Sequence, residues 1–415
     1  MGHVVLDGES SSTTPRVVLF PFMSKGHTIP LLQLARLILA RGIDVTIFTT
    51  PANLPFVSSR LADTAASIVA LPFPENVDGL PLGVESTDKL PSMSLFVTFV
   101  TCTKLMKPWF EEALGRLSNV SFVISDGFLG WTLDSANKFG IPRLASYGFN
   151  AFSCAVIQSV EASGVIFEAE SDDELFQVTD FPWIKLTRND FDLPIKDRVK
   201  EGPGYEFYKE SIMATSKSYG VLVNSFYELE PEFLDYLNHK SQPKAWPIGP
   251  LCLAEPPKAM ATSEKPVYLK WLDDKLEDGR RSVLYVAFGS QAEISKDQLH
   301  EIKTGLEKSG VNFLWAVGKN GNEVDHEFET RVKDRGLVVG LRVETCDGTV
   351  KGFVKWEGLE KTVKELMEGE MGKVVRKNVE LTGDAAAKAV LDQGGSSWKA
   401  LSELIQGIHA FRKNK

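Results

Sequence analysis

His27 is the side chain whose type and setting best suit proton transfer. It lies in Pro21–Pro30 (PFMSKGHTIP), which reads as a loop between an apolar strand and an amphipathic helix. Imidazole has the unperturbed pKa nearest to neutrality, and open α/β sheets bind ligands outside the carboxyl ends of their strands. A neutral histidine delivered to that rim can take a proton from a small-molecule hydroxyl within hydrogen-bond reach. Asp126 closes a second apolar stretch, Phe122–Asp126 (FVISD), and so falls on the same rim. Simpler duties compete for both residues: a loop histidine can bond to backbone, and an aspartate before a helix can serve as its N-cap. Gly289-Ser290 ends a third such strand (SVLYVAFGS), which by itself is ordinary turn chemistry.

Other constellations are missing. The remaining histidines (His3, His239, His300, His326, His409) are scattered, with no HExxH or Cys/His cluster, so no metal site is expected. The first strand–helix turn lacks a GxGxxG fingerprint, which excludes a hydride-transfer dinucleotide enzyme, and no phosphate-binding P-loop pattern occurs. Cys102, Cys154, Cys252 and Cys346 are far apart and form no CxxC, so reduced, buried thiols of a cytoplasmic protein are expected. Trp271 and Trp315 read as packing residues, and Glu168–Glu174 as a solvated loop.

The elements that must position these residues follow from periodicity. Arg16–Phe20 (RVVLF) reads as a buried strand. Thr28 can cap the next helix, with Pro30 in its first turn and Leu31, Leu34, Ala35 and Ile38 on one face. Gly42 stops that helix and Val45–Thr49 is the next strand, a βαβ unit with parallel pairing. Val221–Asn224 is a further strand, followed by an acidic helix over Glu228–Leu237. Ala245–Pro266 carries five prolines and little periodicity, and reads as a linker. Beyond it the pattern restarts: strand Ser282–Phe288, helix Ser295–Ser309 opened by the capping box Ser295–Gln298, and strand Asn312–Val317. Gly336–Val339 (GLVV) then runs directly into Gly340–Glu344 (GLRVE), and from Trp356 onward the pattern is helical. Parallel neighbours need a crossover of roughly a dozen residues. The two segments therefore either fuse into one strand or leave one of them displaced, and the second half looks internally shortened.

With 415 residues, 43% of them apolar and 24% charged, the chain has the composition of a two-domain globular protein. A net charge of −9 argues against general affinity for nucleic acid or anionic membrane. No apolar run approaches the ~18 residues of a membrane span. The polar, acidic N-terminus lacks the features of a signal peptide.

Eight blocks carry a family resemblance: PFMSKGHTIP (21–30), ISDGFLGWT (124–132), VLVNSFYELEP (221–231), WPIGPL (246–251), WLDDKLEDGRRSVLYVAFGS (271–290), GLRVE (340–344), FVKWEGLEKTVKELM (353–367) and GGSSWKALSELI (394–405). In this order, over nearly the whole length, the chain resembles plant UDP-glycosyltransferases. The resemblance implies an α/β GT-B fold: two Rossmann-like domains facing across a cleft. The expected divisions are an acceptor-binding domain at 1–245, a linker at 246–266, a donor-binding domain at 267–395 and a C-terminal helix at 396–415. It also implies inverting transfer of a sugar, glucose by expectation, from UDP-sugar to a hydroxyl of a small lipophilic or phenolic acceptor. His27 would be the general base, Asp126 its hydrogen-bonded partner, and Gly289 and Ser290 contacts to the UDP phosphates. UDP-sugar is then a co-substrate, no resident cofactor is needed, and a cytoplasmic monomer is expected.

One block of the family pattern has no counterpart. Between GLVV and GLRVE the family carries its donor-binding box, which opens with a tryptophan for the uracil. It contains a His-Cys-Gly-Trp-Asn-Ser stretch for the diphosphate, and closes with an acidic residue and a glutamine for the sugar. Here Val339 is followed by Gly340 and no such stretch occurs anywhere. The C-terminal domain is therefore expected to be internally truncated. The alternative function is an inactive acceptor- or partner-binding relative, or a non-productive splice or gene-model product.

Overall fold

Apolar runs of five to seven residues that alternate with amphipathic helices dictate parallel strands covered on both faces. The computed structural model describes residues 14–192, 194–255, 265–277, 282–288, 294–317, 326–340, 353–391 and 393–413. It divides into two compact units, one of Met1–Ser86, Val97–Pro256 and Asp384–Lys415, the other of Thr87–Phe96 and Pro257–Gly383.

The first unit is built on β1 (Arg16–Phe20), β2 (Asp44–Thr49), β3 (Ser67–Ala70), β4 (Val120–Asp126), β5 (Arg143–Ser146), β8 (Gly220–Val223) and β9 (Ala245–Pro247). They form one sheet in the order β3-β2-β1-β4-β5-β8-β9, parallel throughout. A short antiparallel hairpin, β6 (Phe176–Val178) with β7 (Phe181–Leu186), stands apart from it. The order runs one way from β1 through β2 to β3 and the other way from β4 to β5. The seam between β1 and β4 is thus the topological switch point, where α/β sheets open a crevice at the carboxyl ends. Phe20 registers with Ser125 across that seam, so the chain leaving β1 passes beside Asp126.

The helix after β1 starts earlier than the sequence suggests. It spans Lys25–Leu39, so His27 lies in its first turn and not in a loop. Ser24 takes the N-cap position, and its carbonyl accepts from the backbone N–H of Thr28 at 2.8 Å. Thr28 is therefore inside the helix, where its hydroxyl donates to the Phe22 carbonyl at 3.1 Å. Pro30 falls in the second turn, where it removes only one ladder donor. Leu31, Leu34, Ala35 and Ile38 bury the expected face against Val17, Leu19 and Val45.

The segment read as a linker opens as the sheet's edge strand, β9. Asn224 ties the next turn down, its side-chain oxygen accepting from the Leu251 N–H at 2.8 Å. A Cβ on Gly249 would lie 2.5 Å from that same oxygen, so the turn closes only on glycine. The C-terminal helix Ser396–Lys413 then returns to this region. Ser397 donates to the Gly249 carbonyl at 2.6 Å, and Leu401, Leu404, Ile405 and Ile408 join the core beside Leu222 and Trp246. Each buried aliphatic contributes about 1.5–3 kcal/mol, so four of them outweigh the ~1 kcal/mol of the hydrogen bond.

In the second unit β10 (Leu284–Ala287), β11 (Phe313–Val317) and β12 (Gly336–Gly340) pair in sequence order, all parallel. Phe313, Trp315 and Phe328 pack with Leu299, Ile302 and Leu306 of helix Lys296–Ser309. Trp315 is a core residue, as expected. Ser295 caps that helix by accepting from the Gln298 N–H, but the reciprocal half of the expected capping box is absent. The Gln298 amide instead bonds both backbone groups of Val354. GLVV forms β12; the residues after Gly340 that would decide whether GLRVE continues it lie outside the described residues. Tyr285 on β10 is 64% exposed, leaving part of one sheet face open.

Among the described residues no helix is long and apolar enough to cross a membrane. Cys102 and Cys154 are free and sheltered, whereas Cys252 is exposed on a short turn, against the expectation of buried thiols.

Candidate active site

The switch point brings His27 and Asp126 together across 99 residues of chain. Nδ1 of His27 lies 2.7 Å from Oδ2 of Asp126, whose side chain is 1% exposed. The other carboxylate oxygen accepts from the Phe128 N–H at 2.9 Å. Asp126 therefore does both things considered for it: one oxygen holds the histidine, the other caps the short 3-10 turn Gly127–Leu129. With Nδ1 engaged, the ring's second nitrogen, Nε2, has no hydrogen bond among the described residues.

Burial is the largest single influence on His27 and lowers its pKa, but the charge and hydrogen bond of Asp126 together reverse this, leaving it above 6.5. The positive end of the helix dipole beneath His27 opposes protonation. Aromatic rings fix the imidazole plane: Phe22 packs edge-on at 5.6 Å and Phe128 tilted at 5.0 Å. Gly127 is obligatory between Asp126 and Phe128, since a Cβ there would fall 1.9 Å from the Tyr147 ring.

Two further features complete the site. The first is Arg143, whose side chain is wholly buried beneath Asp126. Its Nε donates to Ser125 (2.7 Å) and Thr132 (3.1 Å), one terminal nitrogen to Ser218 (2.8 Å), and the other to the Asp126 carbonyl (2.9 Å). A charged residue opening an otherwise apolar strand was the available signal. The second is a cavity of about 170 Å³ behind Phe128, walled by Tyr147, Ile157, Phe207, Tyr208 and Leu237 among others. An apolar cavity of about 150 Å³ suffices for benzene, so one ring-sized apolar group fits here. Cys154 also lines it, its thiol pushed up to about 12 by burial and, secondarily, by Glu230, so it is no nucleophile.

Gly289 and Ser290, the remaining predicted site residues, lie outside the described residues. No group of three or more potential metal ligands occurs among the described residues.

Residues 14–253 match the family described as the glycosyltransferase N-terminal domain. The chain is 46% identical to UDP-glycosyltransferase 90A1 of Arabidopsis thaliana over 461 aligned positions, covering 94% of this chain and 96% of that protein. It is 32% identical to UDP-glucose flavonoid 3-O-glucosyltransferase 7 of Fragaria ananassa over 473 positions, covering 94% and 95%. Among solved structures, UGT73P12 of Glycyrrhiza uralensis, complexed with glycyrrhetinic acid 3-O-monoglucuronide, matches with a TM-score of 0.83 at 28% identity, covering 97% of each chain. The α/β architecture with parallel sheets is that of the GT-B enzymes, as expected from the sequence.

Proposed function

This chain belongs to the plant UDP-glycosyltransferase family, and from that premise we propose that it keeps the acceptor half of the family's reaction and lacks most of the donor half. The reaction is inverting transfer of a sugar, glucose in this reading, from a UDP-sugar to a hydroxyl of a small lipophilic or phenolic acceptor. His27 takes the acceptor's proton at Nε2, the oxygen attacks the anomeric carbon, and UDP leaves with the bonding pair. Asp126 holds the ring's tautomer at Nδ1 and stabilises the imidazolium that forms. The observation that carries this reading is the 2.7 Å contact of His27 with Asp126 at the switch point of the sheet.

The donor side rests on different support. Alignments with the relatives run to 461 and 473 positions, against 415 residues in this chain, which supports the reading that a segment of the family pattern is missing here. No His-Cys-Gly-Trp-Asn-Ser stretch is present, and Gly289 and Ser290 are the only donor contacts we assign. A single oxyanion donor is typically worth about 10²–10³ in rate, so losing several leaves turnover far below that of an intact enzyme.

Calorimetry with UDP and UDP-glucose, paired with turnover on a panel of phenolic acceptors, tests this. We expect acceptor binding without micromolar affinity for the nucleotide. Micromolar UDP-glucose binding, with turnover abolished by His27→Ala, would overturn the donor half and leave an ordinary transferase.

A further inference from the structure

The geometry points to Arg143 as a positioning residue for the His27–Asp126 pair, a buried cation that braces Asp126 from behind and restrains the proton affinity of His27. Buried charges are normally paired with opposite charge. Arg143 is 1% exposed, yet each of its four hydrogen bonds goes to a neutral oxygen: the hydroxyls of Ser125, Thr132 and Ser218 and the carbonyl of Asp126. A guanidinium kept in such a place at high desolvation cost does more than fill space, because hydrophobic packing would fill it as well.

Its placement supplies the reason. Ser125 and Asp126 are the last residues of β4, and Thr132 opens the helix that follows. Arg143 thus pins the strand end and the helix start on either side of the turn that presents the Asp126 carboxylate. The titratable or charged groups acting on this cluster are Asp126, His27 and Tyr147. Burial lowers the Arg143 pKa to about 10, against opposing effects of Tyr147 and then Asp126, so it remains a cation at neutral pH. Tyr147 is held neutral, pushed up to about 12 chiefly by burial.

Asp126 alone would drive His27 towards imidazolium, and a protonated ring cannot accept a proton. The Arg143 charge, which bonds the Asp126 carbonyl and interacts with its carboxylate, offsets part of that pull, and the Asp126 backbone stays fixed while it does so. This inference rests on His27 acting as the base, but it can be read without donor, acceptor or turnover.

The test is a histidine NMR titration of the full chain, with the His27 resonance assigned by its loss in His27→Gln. Arg143→Met is expected to move the His27 pKa upward relative to wild type, while Arg143→Lys leaves it nearer the wild-type value. If Arg143→Met does not fold, Arg143→Gln, whose amide reaches the position of the arginine Nε and its Ser125 and Thr132 partners, carries the same expectation. A neutral variant that loses thermal stability while His27 titrates as in wild type would overturn the inference and leave Arg143 a packing residue. Failure of the transfer assay would not move this readout.

Discussion

The imidazole of His27 is held by Asp126 through a 2.7 Å contact in which the acid is buried and the ring is 17% exposed. Because Asp126 raises the His27 pKa against the opposing effect of burial, Asp126→Asn should lower it, which NMR titration would register directly. The same linkage sets a pH dependence of stability. A pKa raised in the folded state stabilises below the unfolded value of 6.5, and that contribution is lost as pH rises through the folded value. Melting temperatures of wild type should therefore fall across this window from this group, and the slope should reverse in Asp126→Asn, where burial acts on the ring without the opposing carboxylate. Parallel slopes in both proteins would sink the assignment.

Glu230 anchors a helix rather than a substrate. It is 7% exposed, and its two oxygens accept from the N–H groups of Ala151 and Phe152, each at 3.0 Å. Glu230→Ala leaves two donors at that helix start unpaired and should cost about 1–3 kcal/mol. Urea unfolding would check it, and Glu230→Gln should fall between the two.

Thiol chemistry should single out Cys252 among the described cysteines. Burial pushes Cys102 up to about 12, and burial together with Glu230 does the same for Cys154, whereas Cys252 is exposed. Peptide mapping after brief iodoacetamide treatment of the native protein should find Cys252 modified and the other two protected. Comparable labelling of Cys154 would mean that the cavity opens to reagents.

The open face of the second unit gives a fourth test. Parallel sheets are ordinarily covered on both sides, yet Tyr285 on β10 is 64% exposed, and Phe288 just past the strand is 42% exposed. Tyr285→Thr with Phe288→Ser should change stability by no more than about 0.5 kcal/mol and should reduce binding of the dye ANS. A loss of several kcal/mol would show that these rings are buried in solution.

Much of this was legible in local pattern. The unit from β1 to β2 announces itself through Leu31, Leu34, Ala35 and Ile38, and the rim is flagged by His27 following β1 and Asp126 ending β4. The start of the His27 helix was not legible, because Ser24 and Thr28 are equally good caps and only the tertiary setting occupies Thr28 with Phe22. Arg143 stood out by its charge, but its partners did not: nothing local reveals that Ser218, 75 residues away, will receive its guanidinium. Hairpin β6–β7 lacks the clean alternation that marks a strand pair, and its edges blend into acidic loops. The capping box at Ser295 failed because Gln298 found the Val354 backbone, a partner that no local pattern could suggest.

The return of the last helix to the first unit has a consequence for biosynthesis. Leu401, Leu404 and Ile408 emerge from the ribosome after the strands of both units, yet they seal the wall that Leu222 and Trp246 leave open. The unit begun first is thus completed only after the second has been made. A nascent chain halted before Ser397 would carry an exposed greasy flank, whatever the fate of the second unit synthesised in between.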